Sequence, residues 1–263
     1  AARHIGKSAA ENIIPFTGEL GGKSPLIIFP DADFDTAVGK AAGQFDDSGQ
    51  ICLAGTRLLI HSSIKEKFLS RFLELTAKQK LGSSFDDETE ITPMIHPDHL
   101  KNVADFVDRA RINGDKILCG GKIFKDGELW YEPTLIEPFS NQSEVVQKEI
   151  FGPVLGIVRT ESYADALKLV NEHELGNGAA LFTNDGGVAR HFVEQTKIGM
   201  VGVNVPIPVP VAYHSFGGWK RSLFGDLHAY GPDAVRFYTK RKTITQRWPS
   251  AGVREGVLFS MPT

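Results

Sequence analysis

Cysteine is scarce in this chain: Cys52 and Cys119 are the only two in 263 residues. Two thiols do not build a disulfide framework, and such sparing use fits a reducing, cytoplasmic compartment. A basic excess is also missing. Lys plus Arg number 29 against 32 Asp plus Glu, a formal charge of −3, which argues against a nucleic-acid partner. No apolar run reaches the roughly 18 residues of a membrane span, so no membrane contact is expected. Residues 1–6 lack a charged stretch followed by an apolar one and do not read as a signal peptide. Position 1 is Ala rather than Met. Internal repeats and low-complexity linkers are absent. His61, His96, His99, His173 and His191 fall at strand ends, in loops or on exposed helix positions without metal-ligand spacing, so no metal is expected.

What is present is an ordinary globular composition: 41% hydrophobic, 23% charged and 10% aromatic residues. The length allows one large domain or two small ones, either with a sizeable core. Apolar strands alternate with helical periods. Residues 24–29 read as a buried strand, and residues 34–45 as a helix with Asp33 as its N-cap. Residues 56–61 form a second strand. Ser62-Ser63 then caps an amphipathic helix with Ile64, Phe68, Phe72 and Leu75 on one face. A helix over 97–112 closes at Asn113-Gly114. Strands follow near 116–119, 154–158, 179–183 and 200–204, and helices near 162–172 and 185–196. This rhythm predicts an α/β fold in layers around a largely parallel sheet. Alternating prolines make residues 205–213 an extended loop. The basic, Thr-rich run 236–248 reads as a long edge strand, either solvated or pairing with another chain.

Four stretches have the residue types that chemistry needs. Gly49-Gln50-Ile51-Cys52-Leu53-Ala54-Gly55 puts a thiol among small residues where a helix ends and a strand begins, the kind of place where sites collect in open α/β sheets. It reads as a nucleophile or as a buried small side chain. Cys119, in Lys116-Ile117-Leu118-Cys119, reads as the end of a core strand. Glu19-Leu20-Gly21-Gly22-Lys23-Ser24-Pro25 offers a carboxylate beside paired glycines: a general base next to close backbone approach, or a surface Glu at a turn. In Glu149-Ile150-Phe151-Gly152-Pro153-Val154, Glu149 and Phe151 point to one side if the segment is extended. That side would offer a carboxylate to a sugar and an aromatic face to a ring; equally, the segment reads as a strand start. Ser215-Phe216-Gly217-Gly218-Trp219-Lys220 turns tightly between aromatics.

In this order and spacing the four motifs resemble the aldehyde dehydrogenase superfamily, over roughly residues 2–249. The resemblance implies an aldehyde dehydrogenase-like, three-layer catalytic domain over 20–221 and a small aldehyde as substrate. Residues 1–19 would be a remnant of a dinucleotide-binding domain, 222–237 a return segment to it, 238–249 an oligomerisation arm and 250–263 a tail. A homo-oligomer, dimer or tetramer, is the implied assembly of the complete enzyme. Cys52 would attack the aldehyde, hydride would pass to NAD or NADP, and Glu19 would activate water to hydrolyse the thioester. The backbone N–H of Cys52 would hold the oxyanion. Glu149, Phe151, Leu20 and Gly21 would contact the cofactor. Ile51, Leu53 and Phe216 would line the aldehyde tunnel, with the proline loop at its mouth.

The likeness has departures. The family's phosphate-binding Gly-Ser-Thr turn would lie before residue 1, and the helix it opens would be the one near residues 1–10. The chain therefore reads as the C-terminal half of such an enzyme, inactive alone or surviving as a non-catalytic assembly module. The stretch Gly43-Gln44-Phe45-Asp46-Asp47-Ser48 is more acidic than the family's usual apolar approach to the cysteine, and Asp46 and Asp47 are expected to raise the Cys52 thiol pKa. The stretch His214-Ser215-Phe216-Gly217-Gly218-Trp219-Lys220 and its sequel look most like methylmalonate-semialdehyde dehydrogenase, as does Gly176-Asn177-Gly178. That branch transfers its acyl group to coenzyme A and typically lacks the general-base Glu. Glu19 is present here, which favours hydrolysis. His214 and His228 are candidate contacts for an anionic substrate.

Overall fold

The computed structural model describes residues 1–125 and 128–248. Seven strands make one sheet: β1 (Pro25–Ile28), β2 (Arg57–His61), β3 (Lys116–Cys119), β4 (Thr134–Glu137), β5 (Val154–Thr160), β6 (Gly178–Phe182) and β7 (Met200–Val203). Their order across the sheet is β3-β4-β5-β2-β1-β6-β7. Only the edge pair β3/β4 is antiparallel. The helices are α1 (Ala2–Glu11), α2 (Phe34–Ala42), α3 (Lys65–Thr76), α4 (Pro97–Ile112), α5 (Glu144–Gln147), α6 (Tyr163–Glu172), α7 (Gly186–Gln195) and α8 (Gly231–Tyr238).

The central strands are unbroken apolar runs because helices cover both sheet faces. Side chains alternate between those faces. Leu26, Ile28, Leu58 and Ile60 pack with Ala37 and Val38 of α2 and with Phe68 and Phe72 of α3. Ile27 and Leu59 face the other way, onto Val103 and Val107 of α4, Val170 of α6 and Phe192 of α7. The result is the expected three-layer α/β arrangement around a mostly parallel sheet.

Local signals explain most element ends. The Asp33 carboxylate accepts from the Thr36 N–H at 2.9 Å and starts α2. Asn113 and the left-handed Gly114 (φ 89°) close α4. The entry to α3 differs from expectation. Ser62–Ile64 is a 3₁₀ turn, and the His61 ring, not a serine, accepts the Ser63 N–H. His96 starts α4 in the same way, accepting from Asp98.

The expected strand over 236–248 is not there. Its first residues end α8, with Pro232 in the first helical turn and Asp233 bound to Arg236. Residues 239–248 have no regular secondary structure and are exposed. The expected tail 250–263, and residue 249, lie outside the described residues. Two small ladders add what the periodicity did not suggest. Gly18–Glu19 pairs with Leu223–Phe224, and Leu175–Gly176 pairs with Trp219–Lys220. They draw the residues after the proline loop back against the start of the sheet. Among the described residues no helix is long and apolar enough to cross a membrane.

Candidate active site

Three of the four motifs lead into the amino-terminal ends of parallel strands, and the fourth, Ser215–Lys220, joins them through its ladder to Leu175–Gly176 just before β6. Glu19 to Ser24 lead into β1, Cys52 to Thr56 into β2, Glu149 to Pro153 into β5, and Asn177 into β6. This corrects the expectation drawn from open α/β sheets, whose crevices lie at the carboxyl ends. Here the long segments before the strands, not those after them, come together.

The approach to Cys52 is backbone-driven. Asp47, Ser48 and Gly49 are left-handed in succession, with φ of 51°, 54° and 64°. A Cβ at Gly49 would stand 2.3 Å from the Gly152 carbonyl, so the Cys52 turn and the Glu149 segment touch here. The Ser48 hydroxyl donates to the Thr92 carbonyl, and the Gln50 amide oxygen accepts from Ile95 at 2.9 Å. Local strain is thus held by partners from a distant loop.

Two glycines make the Glu19 segment fit. A Cβ on Gly22 would lie 2.2 Å from the Cys52 carbonyl, and one on Gly21 would lie 2.0 Å from the Glu149 carboxylate. Glu149 accepts from the Gly22 N–H at 2.9 Å. Ser222, wholly buried, donates to the Gly21 carbonyl at 2.7 Å and accepts from the Gly176 N–H at 3.0 Å. The Asn177 amide donates to the Cys52 carbonyl at 3.3 Å. Lys220 crosses behind, donating to the Val170, Asn171 and His173 carbonyls at the end of α6.

Burial sets the electrostatics. It pushes the Glu19 carboxyl up to about 6; the Gly218 backbone offsets part of this without making a full hydrogen bond. Burial also raises Cys52 and Glu149. For Cys52, the Asn177 amide acts the other way, while the Glu149 and Glu19 charges add to the rise. Asp46 and Asp47 are not among the groups that act on the thiol, so the expected cause of its elevation is corrected. Beneath the site Lys23 is fully buried with no partner for its amine, which burial pushes down to about 7. Arg57 is buried too, and its Nε donates to the Lys23 carbonyl at 2.7 Å.

The remaining expected residues are placed unevenly. Ile51 is half-buried beside Cys52, and Leu20 is half-buried where its N–H donates to Ser222. Phe151 is not on an extended segment: its φ is 57°, and His99 donates to its carbonyl at 2.7 Å. The two-residue argument that set it on the same side as Glu149 therefore does not hold. Leu53 is 1% exposed and packs against Gly178, so it faces the sheet rather than an open channel. Phe216 rests on Tyr230, with ring centroids 5.0 Å apart. His228 lies against Gly217 and shares a hydrogen bond with Ser215. Pro206 and Ile207 of the proline loop line a groove of about 460 Å³ with Gly39, Lys40 and Asp46. Cys119 ends the edge strand β3 and donates to the Pro133 carbonyl at 3.6 Å. Sequence reasoning missed Ser222 and Lys220 as ties. Asn177 drew notice by resemblance alone, although a polar residue between two glycines at a strand start is a usable signal.

Comparison with known proteins decides the family. A profile described as aldehyde dehydrogenase family matches residues 1–244. The chain belongs to this family. It is 39% identical over 249 residues to a malonate-semialdehyde dehydrogenase of Pseudomonas aeruginosa, covering 92% of the chain and 50% of that protein. A solved methylmalonate-semialdehyde dehydrogenase from Oceanimonas doudoroffii superposes with TM-score 0.90 at 44% identity, over 97% of the chain and 53% of that structure. Betaine aldehyde dehydrogenase from Staphylococcus aureus, solved with NAD+, gives TM-score 0.85 at 36% identity, over 90% of the chain and 47% of that one. The chain thus spans about half the length of the curated relatives it matches.

Proposed function

We propose that this chain supplies the nucleophile, the general base and part of the cofactor cradle of a dehydrogenase that oxidises an aldehyde or semialdehyde to a carboxylate with NAD or NADP. The observation that carries the reading is the convergence of Cys52, Glu19 and Glu149 at one end of the sheet, close enough for both carboxylates to act on the thiol. A carboxyl raised to about 6 is suited to accept a proton near neutral pH.

The Cys52 thiolate attacks the carbonyl carbon, forming a C–S bond and an oxyanion that the Cys52 backbone N–H holds. A bound nicotinamide would take up hydride from that carbon; the oxyanion then re-forms its carbonyl and the acyl group stays on Cys52 as a thioester. Glu149 and the backbone of Leu20 and Gly21 would hold that cofactor, and Phe151 would pack against it. The absence of a side chain at Gly21 lets the Glu149 carboxylate lie against its backbone, where an added Cβ would strike it, so the two groups assigned to the cofactor stand side by side. Glu19 takes a proton from water, the water oxygen attacks the thioester, and the C–S bond breaks to return the Cys52 thiolate. Ile51 and Phe216 border the aldehyde path, with Leu53 setting the turn beneath them. The exposed segment 239–248 suits pairing between copies of the chain.

A second reading, acyl transfer to coenzyme A, is favoured by the likeness to malonate- and methylmalonate-semialdehyde dehydrogenases. Product analysis separates the two. The chain is incubated with a semialdehyde, NAD+ and coenzyme A, alone and with sufficient added dinucleotide-binding half. Hydrolysis predicts carboxylate that Glu19→Gln abolishes and Cys52→Ala abolishes. Unchanged carboxylate in Glu19→Gln overturns the role of Glu19. An acyl–coenzyme A product that survives Glu19→Gln establishes the second reading.

A further inference from the structure

Asn177 touches three of the four motifs at once. It is 2% exposed, in the turn that leads from Leu175–Gly176 into β6. A Cβ on Gly22 would come within 3.2 Å of its Cβ, and one on Gly218 within 3.0 Å of its Oδ1. Both paired-glycine segments therefore clamp it, and its Nδ2 reaches the Cys52 carbonyl at 3.3 Å. The turn itself is rigid. The Asn177 carbonyl accepts from Met200 at 3.1 Å, and its neighbour Gly176 is bound to Gly199 and Ser222. A side-chain amide has two N–H groups. One is used on the Cys52 carbonyl, which leaves a second donor held beside the nucleophile. The Oδ1 atom is buried without a partner.

We propose that Asn177 is a positioning residue for the nucleophile, fixing the Cys52 backbone with one amide hydrogen and stabilising the thiolate with the other. A leucine of similar size would fill the same space without either hydrogen bond. The need for such a donor follows from the surroundings. The charged groups that face Cys52 are Glu19, on the segment before β1, and Glu149, on the segment before β5. Both oppose a second negative charge. Lys23, which lies close enough to act on Glu149, has its amine buried beneath. The Asn177 amide is the neutral side chain that acts in favour of the ionised sulfur. Thiolate stabilisation by hydrogen bonding of this kind is a general route to a usable cysteine nucleophile.

The inference rests on Cys52 as the nucleophile but not on turnover, so its test reads the thiol directly. Wild-type chain, Asn177→Leu and Asn177→Asp are alkylated with iodoacetamide across pH 6–10, and modification of Cys52 and Cys119 is followed separately by peptide mass spectrometry. The expected result for Asn177→Leu is an apparent Cys52 pKa higher by about one unit and roughly tenfold slower alkylation below it. Asn177→Asp keeps the shape and replaces the donor by a carboxylate, so its Cys52 profile moves at least as far. Cys119 is the control, and its profile stays in place. Superposed Cys52 profiles for wild type and Asn177→Leu overturn the proposal. So does faster modification of both cysteines in the variants, which would mark Asn177 as a packing residue whose loss opens the fold. No aldehyde oxidation by the wild-type chain in the product analysis above, with the Cys52 profiles separated as expected, would strike at the proposed function and leave the role of Asn177 standing.

Discussion

At the scale of single residues, the site is a set of buried groups held against their preferences, and Glu19 shows this most clearly. The folded chain keeps its proton up to about pH 6, against an ordinary value of 4.5. Stability therefore falls as pH rises between those two values, because the unfolded chain releases the proton first. The full shift would correspond to about 2 kcal/mol, and half-exposure reduces it to about 1 kcal/mol. Glu19→Gln is expected to unfold at a higher temperature than wild type at pH 8, with the difference vanishing below pH 4.5. Thermal denaturation at the two pH values checks it, and a constant difference would contradict the burial argument. The glycines give a paired prediction. Gly49→Ala drives a Cβ into the Gly152 carbonyl at a positive φ, so a loss of several kcal/mol is expected. Gly21→Ala meets only the end of the Glu149 side chain, which can rotate away. Urea melts should show Gly49→Ala strongly destabilised and Gly21→Ala near wild type, with NAD+ affinity of the latter reduced. Much of this site was legible in the sequence as motifs. Cys52, Glu19 and Glu149 do meet. Phe151 was misread because a single left-handed residue breaks the side-to-side alternation that extended chain implies. Leu53 sits next to the nucleophile in sequence, yet its side chain turns into the core.

Elements were legible wherever a long apolar period decided them. The strands β1, β2 and β5 to β7, and the helices α2, α3, α4, α6 and α7, follow from runs that both sheet faces or one helix face must bury. What escaped was set by tertiary pairing. β4 is four residues between prolines, and the two-residue ladders at Gly18–Glu19 and Leu175–Gly176 have no periodicity to show. The run 236–248 looked like a strand because Thr and basic residues alternate, but no neighbouring strand among the described residues offers it a ladder. Lys220 belongs to the same class of long-range feature. Its ammonium ends α6 by binding three carbonyls, a favourable charge at a helix C-terminus. It also anchors the Trp219–Lys220 ladder to Leu175–Gly176, directly ahead of Asn177. Lys220→Met keeps the apolar stem and removes these bonds, so a loss of roughly 1–3 kcal/mol is expected. Amide exchange should quicken first at 172–178. Uniform exchange along the chain would show that the tie is not local.

For the whole molecule, the question is what covers its apolar outer surface. α1 leaves Ile5 53% exposed, and Ile13 and Ile14 after it stand in solvent. A groove of about 720 Å³ runs between Ala2, Gly6 and Ala10 of α1 and Phe16, Leu20, Leu223 and Phe224. α8 has no buried residue at all and shows Val235 and Tyr238 to solvent. Ile244 and Trp248 are exposed beyond it. Scattered exposed apolar side chains are ordinary, but an apolar groove such as the one between α1 and Phe16, Leu20, Leu223 and Phe224 favours association when it forms a patch of more than a few hundred Å². Leu20, which follows Glu19 in the chain, is part of its lining, so covering the groove would also hold Leu20 and Glu19 in place. The 263-residue chain in isolation is therefore expected to self-associate. Light scattering should give a mass above 28.8 kDa that rises with protein concentration. Replacing Ile5 and Phe224 by Ser and Thr should lower that mass while leaving the melting temperature of the sheet domain unchanged. A single species at 28.8 kDa across concentrations would mean that this face is stable in water as it stands, and the dependence of the Glu19 segment on a covering surface would fall with it.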